Sequence, residues 1–248
     1  WRRTIGFKWI LEKIMKKVEN PERSRRGLLI VIEGGDGSGK TTQFNLLKDK
    51  LIKDGRQIET VDFPQYGRPS ALMIEKYLNG DFGTAKEVGA YRASVLYATD
   101  RYEASFRMKK WLAEGKIILA NRYATSNMVH QSGKIKDSDE RNKFLNWLDE
   151  LEFGIFEIPR PDLVFFMNIS ADISQKLALK KDARHDNIKS KNDIHENDLE
   201  HLKDSLEAGN YVAKKYNWET IECDDGSGAM RSIEDIHAEV CQRAEKHL

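Results

Sequence analysis

The stretch "EGGDGSGKTTQ", Glu33 to Gln43, constrains the fold of this chain more than any other. Gly34, Gly39, Lys40 and Thr41 fill the pattern G-x-x-x-x-G-K-[ST]. The run before it, "LLIVIE", is apolar and β-branched, with the length of a buried strand. The run after it places Phe44, Leu47, Leu51 and Ile52 on one helical face, and Gly55 follows as a stop. The loop therefore joins a strand to a helix N-terminus. In that setting glycines let backbone N–H groups converge on an anion, and the helix dipole adds a favourable potential. Lys40 adds a point charge, and the Thr41 hydroxyl is a ligand suited to Mg²⁺. The expectation is a site that holds phosphate.

The rest of the chain repeats the alternation. Further strands are read at "RQIETVDFP", "KIILA", "PDLVFFMNI" and "WETIEC". Between them lie a short helix in "PSALMIEKYLNG", a long one over 86–112, another over 137–153, and one starting at "SADISQKLAL". Helices over 196–216 and 231–247 flank the last strand. "NRYATSNMVHQSGKI" and the polar "KKDARHDNIKSKND" read as loops. Strands alternating with helices predict a parallel sheet covered on both faces. The 248 residues suit one such domain with room for a small appendage. Ligands of these sheets sit at the carboxyl ends of the strands. That rim collects the phosphate loop, "DFPQYG" and "NRYATSNMVHQ", with "YATDRYE" of the long helix beside them. Lys40, Arg68, Arg101 and Arg122 are expected there together. This is more positive charge than one triphosphate requires, and clustered arginines suit phosphate or carboxylate. A second anion beside the first, and phosphoryl transfer between the two, is the economical reading.

Composition narrows the setting. No apolar run reaches membrane-spanning length. Two cysteines, Cys223 and Cys241, are too few for a disulfide framework, and a reducing cytoplasmic compartment is expected. The net charge of +1 hides a basic segment: residues 1–26 carry nine Lys or Arg against three Glu. Phe7, Ile10, Leu11, Ile14 and Val18 give that segment helical spacing, which makes it a basic amphipathic helix. Such a helix suits a membrane or nucleic-acid surface. Packing on its own domain or a partner is the reading preferred here, and no nucleic-acid partner is expected. A GTPase switch would ordinarily carry an N-K-x-D motif, which the chain lacks.

Taken in order, "EGGDGSGKTTQ", "FPQYG", "YATDRYE", "NRYATSN…HQ" and "PRPDLVFF" resemble the thymidylate kinases, P-loop enzymes that phosphorylate dTMP with Mg·ATP. The resemblance runs from about Leu28 to Cys223. It implies a three-layer α/β P-loop kinase fold with a five-stranded parallel sheet. The kinase domain would span 27–248 and carry a small lid over about 180–194. It also implies a homodimer. ATP would be held by Gly34, Gly35, Asp36, Gly37, Ser38, Gly39, Lys40, Thr41 and Thr42, with Thr41 on Mg²⁺. Asp36 would meet the acceptor sugar hydroxyl, and Phe63 and Tyr66 would line the acceptor pocket. Tyr97 would stack on thymine, Arg101 would reach its edge, and Arg122 would contact the acceptor phosphate. Ser126, Asn127 and Gln131 would read the nucleotide. Lys40, Arg122, Asp36 and Arg184, the single arginine of the lid, form the expected catalytic set.

The departures from the family are specific. Asn121 stands where an Asp is usual, Gln65 where a basic residue is common, and His130 where a Tyr is common. Gly37 takes the place of an arginine found in some members, while Leu177 and Ile194 replace lid arginines. They leave open a nucleotide-binding relative with weakened catalysis. A kinase for another nucleoside monophosphate is the other alternative.

Overall fold

The computed structural model of the chain describes residues 26–35, 37–182 and 199–248. The amphipathic segment, Asp36, and Arg184 and Ile194 of the expected lid lie outside the described residues. Five strands form one sheet: β1 (Leu29–Gly34), β2 (Ile58–Asp62), β3 (Ile117–Asn121), β4 (Leu163–Asn168) and β5 (Glu219–Glu222). Their order is β2-β3-β1-β4-β5 and every pairing is parallel. All six residues of β1 are buried. Successive side chains of a strand point to opposite faces. Ile30 and Ile32 accordingly meet α1 (Lys40–Lys53) and α8 (Ile233–Ala244) through Leu47, Leu51, Ile236 and Val240. Leu29 and Val31 meet α3 (Ala85–Ala113) through Ala104 and Met108. This is the doubly covered parallel sheet expected from the alternation of strands and helices. Ile52, expected on the buried face of α1, is exposed.

The chain first runs from β1 to one side of the sheet (α2, Leu72–Leu78, follows β2) and then crosses to the other. Parallel sheets bind ligands where the strand order reverses in this way. The reversal falls at the carboxyl end of β1, where the phosphate loop lies.

Two readings need correction. The long helix is not one piece. Gly89 sits at φ 73° and ψ 168°, so α3 bends after its Thr84–Glu87 capping box. A residue with a Cβ is disfavoured at that positive φ. The segment after β3 is helical rather than a loop: α4 (Ala124–Ser126) continues into a π-helical turn over Asn127–Gln131. Six of the eight residues from Ala124 to Gln131 are buried, and Thr125, Asn127 and Gln131 lie among the apolar ones, so no polar face repeats at helical spacing.

Further along, α5 (Ser138–Asp149) also ends in a π-helical turn, Glu150–Ile155. Helices α6 (Ala171–Asp182) and α7 (Leu199–Lys215) stand on either side of residues 183–198, which lie outside the described residues, and Leu177 of α6 packs against the core. Both cysteines are free, and burial pushes the Cys223 thiol up to about 12. Among the described residues no helix is long and apolar enough to cross a membrane.

Candidate active site

The site begins where β1 stops. A Cβ on Gly34 would lie 2.8 Å from Ser38 Oγ and 2.9 Å from the Met167 carbonyl on β4, so only glycine lets the loop turn against the sheet. Gly39, in the left-handed region, leads into α1. Lys40 is buried, and its Nζ donates to the Gly35 carbonyl at 3.1 Å. Thr41 and Thr42 are exposed on the first turn of α1. The Ser38 hydroxyl is buried with no hydrogen-bond partner among the described residues, an unusual state for a polar atom.

Beside the loop, Glu33 organises the end of β3. This carboxylate is wholly buried and accepts from the Gly34 N–H at 2.9 Å and from the Thr125 and Ser126 hydroxyls, both at 2.7 Å. Its Oε1 also lies 3.4 Å from Arg122 Nη1. Arg122 follows β3 with φ 65°, a left-handed conformation that costs of order 1–3 kcal/mol in a non-glycine residue. Its backbone N–H is fixed to the Ile32 carbonyl at 3.1 Å. Sequence reasoning quoted Glu33 but gave it no role. The available signal was a carboxylate ending an otherwise apolar strand.

Amides and aromatic rings form the next wall. Asn127 Nδ2 donates to the Ser94 carbonyl at 3.2 Å. Lys134 Nζ donates to Gln131 Oε1 at 2.7 Å and to the Tyr77 hydroxyl at 3.1 Å. An ammonium can only donate, so the Gln131 amide oxygen faces Lys134 and its NH₂ is turned away. Tyr97 packs edge-on against Tyr77, with ring centroids 6.2 Å apart. Phe63 is buried in the core beside Tyr123.

Burial lowers the Lys134 pKa from 10.5 to about 8. Between those values the unfolded chain holds a proton that the folded chain releases, so folding stability should rise with pH across that window. At 1.36 kcal/mol per unit the rise attributable to Lys134 is about 3 kcal/mol. Denaturant titrations at pH 7.5 and 10.5 should show it in the wild type and not in Lys134→Met. Equal pH dependence in the two proteins would refute the assignment.

The expected rim of four cations is reduced. Arg101 is 2% exposed and is held by Glu152, which is 0% exposed on the π-helical turn after α5. Arg101 Nε lies 3.1 and 3.2 Å from the two Glu152 oxygens, Nη2 also donates to Glu152, and Nη1 reaches the Tyr123 carbonyl at 3.4 Å. Its charge is neutralised internally. Arg68 and Tyr66 are exposed in a separate groove along the β2 edge, with Arg107 and Trp111. Gln65 is buried against Asp100 rather than turned to the rim. Lys40 and Arg122 are the two of the four that the structure brings to the phosphate loop. Asn121 donates from Nδ2 to Asp62 at 3.0 Å, and its Oδ1 is buried without a partner among the described residues.

A parallel sheet in this order, with a lysine-bearing strand–loop–helix at its centre and an arginine on the adjoining strand end, defines a P-loop nucleotide-binding phosphotransferase fold. Residues 32–221 match the family model described as thymidylate kinase, and the chain belongs to that family. It is 27% identical over 216 residues to the thymidylate kinase of Danio rerio, covering 87% of this chain and 89% of that one. Identity to the Schizosaccharomyces pombe enzyme is 28% over 218 residues, covering 88% and 91%. Identity to the human enzyme is 25% over 217 residues, covering 88% and 89%. The solved structure of thymidylate kinase from Candida albicans shares the fold with a TM-score of 0.64, at 22% identity over 90% of this chain and 92% of that one.

Proposed function

We propose that the chain transfers the terminal phosphoryl group of ATP to dTMP, giving dTDP and ADP. The observation that carries the reading is Arg122 anchored by Glu33 next to the phosphate loop, in a chain of this family. One cation then serves each phosphate: Lys40 the donor and Arg122 the acceptor. The loop fits a nucleotide phosphate with Mg²⁺, because Ser38 Oγ is a buried polar atom awaiting a partner and Gly34 keeps the cradle clear. Thr41 would hold the metal, which would neutralise charge on the donor phosphates when bound. Tyr97 would stack on the thymine ring, with the Asn127 oxygen and the Gln131 NH₂ offering one acceptor and one donor to its edge. Ser126 belongs to the support of Arg122 through Glu33. Arg101 would reach the base only with the N–H groups that Glu152 and Tyr123 leave. Asp36 at the acceptor sugar, Arg184 at the transferring phosphoryl, and Phe63 and Tyr66 along the pocket rest on the resemblance. A cytoplasmic setting is part of the same reading.

ADP release with Mg·ATP is measured against dTMP, dUMP, dCMP, dGMP and AMP. Turnover should be greatest with dTMP, and only modestly above dUMP, since one methyl group in a pocket is worth about 1–3 kcal/mol. Turnover of AMP equal to that of dTMP would overturn the acceptor assignment.

A homodimer fits this reading as well. Tyr102 and Phe106 of α3 and Ile155 leave apolar side chains exposed, Phe106 by 62% and Ile155 by 66%. Tyr102 packs edge-on against Phe106 and beside Phe156, so these three rings form one cluster, and Ile155 precedes Phe156 in the chain. Sedimentation should give twice the 28.6 kDa chain mass, and Phe106→Asp should halve it. A wild-type monomer would exclude the dimer.

A further inference from the structure

His130 stands in the π-helical turn Asn127–Gln131, between Arg122 and α7. Its Nε2 lies 3.0 Å from Arg122 Nη1, and its Nδ1 lies 3.3 Å from Ser205 Oγ. A guanidinium can only donate. The Nε2 facing it must therefore present a lone pair. The neutral ring then carries its proton on Nδ1, where Ser205 Oγ accepts it. Around the ring, Gly35 of the phosphate loop, Val129, Leu202 and Leu206 line the same small cavity. Backbone packing keeps this arrangement tight, because a Cβ on Gly133 would lie 3.0 Å from the Asp204 carbonyl of α7.

We propose that His130 is a positioning residue for the acceptor phosphate. As the Nδ1–H tautomer it holds the Arg122 guanidinium in its gripping orientation and ties it to Ser205 on α7, the helix that follows the lid segment. The inference rests on the proposed role of Arg122. An arginine side chain has rotamer freedom to lose on binding. Restricting it beforehand lowers the cost of ordering it around the phosphate. Three groups converge on Nη1: Glu33 Oε1 at 3.4 Å, Ser126 Oγ at 3.5 Å and His130 Nε2 at 3.0 Å.

The test uses the full-length chain and the variants His130→Leu and His130→Gln, with thermal melts to confirm folding. Hydrogen bonds to charged groups are worth about 1.5–3 kcal/mol, so His130→Leu should weaken dTMP binding roughly tenfold or more. Binding is read by calorimetry and as KM for dTMP, while KM for ATP stays within about twofold. His130→Gln keeps an oxygen able to accept from Arg122 and should recover most of the loss. Nitrogen-15 NMR of the imidazole at about pH 8, above the ordinary histidine value of about 6.5, should show Nε2 unprotonated. The opposite tautomer would overturn the proposal. So would dTMP affinity in His130→Leu within twofold of wild type, or equal loss for ATP and dTMP. Failure of the functional reading looks different: the wild type itself would turn over AMP as well as dTMP, while the tautomer and the calorimetric dTMP loss would still report on His130.

Discussion

Glu152→Ala is expected to remove about 3–5 kcal/mol of folding stability, the cost of leaving a buried charge without its partner. Arg101 and Glu152 are both almost completely buried, and their contacts form a fork in which Nε and Nη2 face the carboxylate. Deleting the carboxylate strands the guanidinium beneath α3. Domains are stable by only about 5–15 kcal/mol in total, so this is a large share. The double variant Arg101→Leu/Glu152→Leu should be much closer to wild type, because a buried pair replaced by apolar side chains is often neutral or stabilising. Urea titrations of the three proteins make the comparison. A Glu152→Ala protein within 1 kcal/mol of wild type would show that water reaches Arg101 and that the pair is not a sealed one.

Lys40→Ala is expected to lower kcat by roughly 10²–10³, the usual effect of removing one group that stabilises developing charge in a transition state. The KM for dTMP should change little. Lys40 opens α1, is buried, and rests its ammonium on the Gly35 carbonyl at 3.1 Å, so its direction is set by the loop itself. The transition state of phosphoryl transfer carries charge on oxygens that a fixed cation can meet without reorganisation. Single-turnover kinetics with the variant give the answer directly. A kcat within tenfold of wild type would mean that Lys40 serves binding or the fold instead.

Local features were legible in the sequence, and long-range pairings were not. Strands β1, β3 and β4 announced themselves as short apolar runs, β2 and β5 as β-branched residues set among polar ones, and the phosphate loop as a fixed spacing of Gly, Lys and Thr between a strand and a helix. Both signals sit within about a dozen residues. Arg101 and Glu152 are 51 residues apart, so nothing beside Arg101 in the chain told of the carboxylate that neutralises it. The same holds for Arg122 and Glu33, 89 residues apart. The helical turn at Ala124–Gln131 was hidden for another reason. Its polar side chains are buried against Glu33, Ser94 and Lys134, so the polar and apolar alternation that marks a surface helix is missing. Gly89 could be read as a weak point in a helix, but its backbone angles could not.

The central place of β1 governs how the molecule comes apart. Its amides and carbonyls are committed to β3 on one side and β4 on the other, whereas β2 and β5 each have a single neighbour. Local opening is drawn from the segments with the fewest such ties. Amide protons along Ile30–Ile32 should therefore exchange with solvent only when the whole sheet gives way, while those of β2 escape in smaller fluctuations. The two sides of the site thus rest on footings of unequal permanence. The phosphate loop grows from the most protected strand, and the "DFPQYG" segment grows from an edge. The "DFPQYG" segment can loosen and re-form while the phosphate loop stays whole.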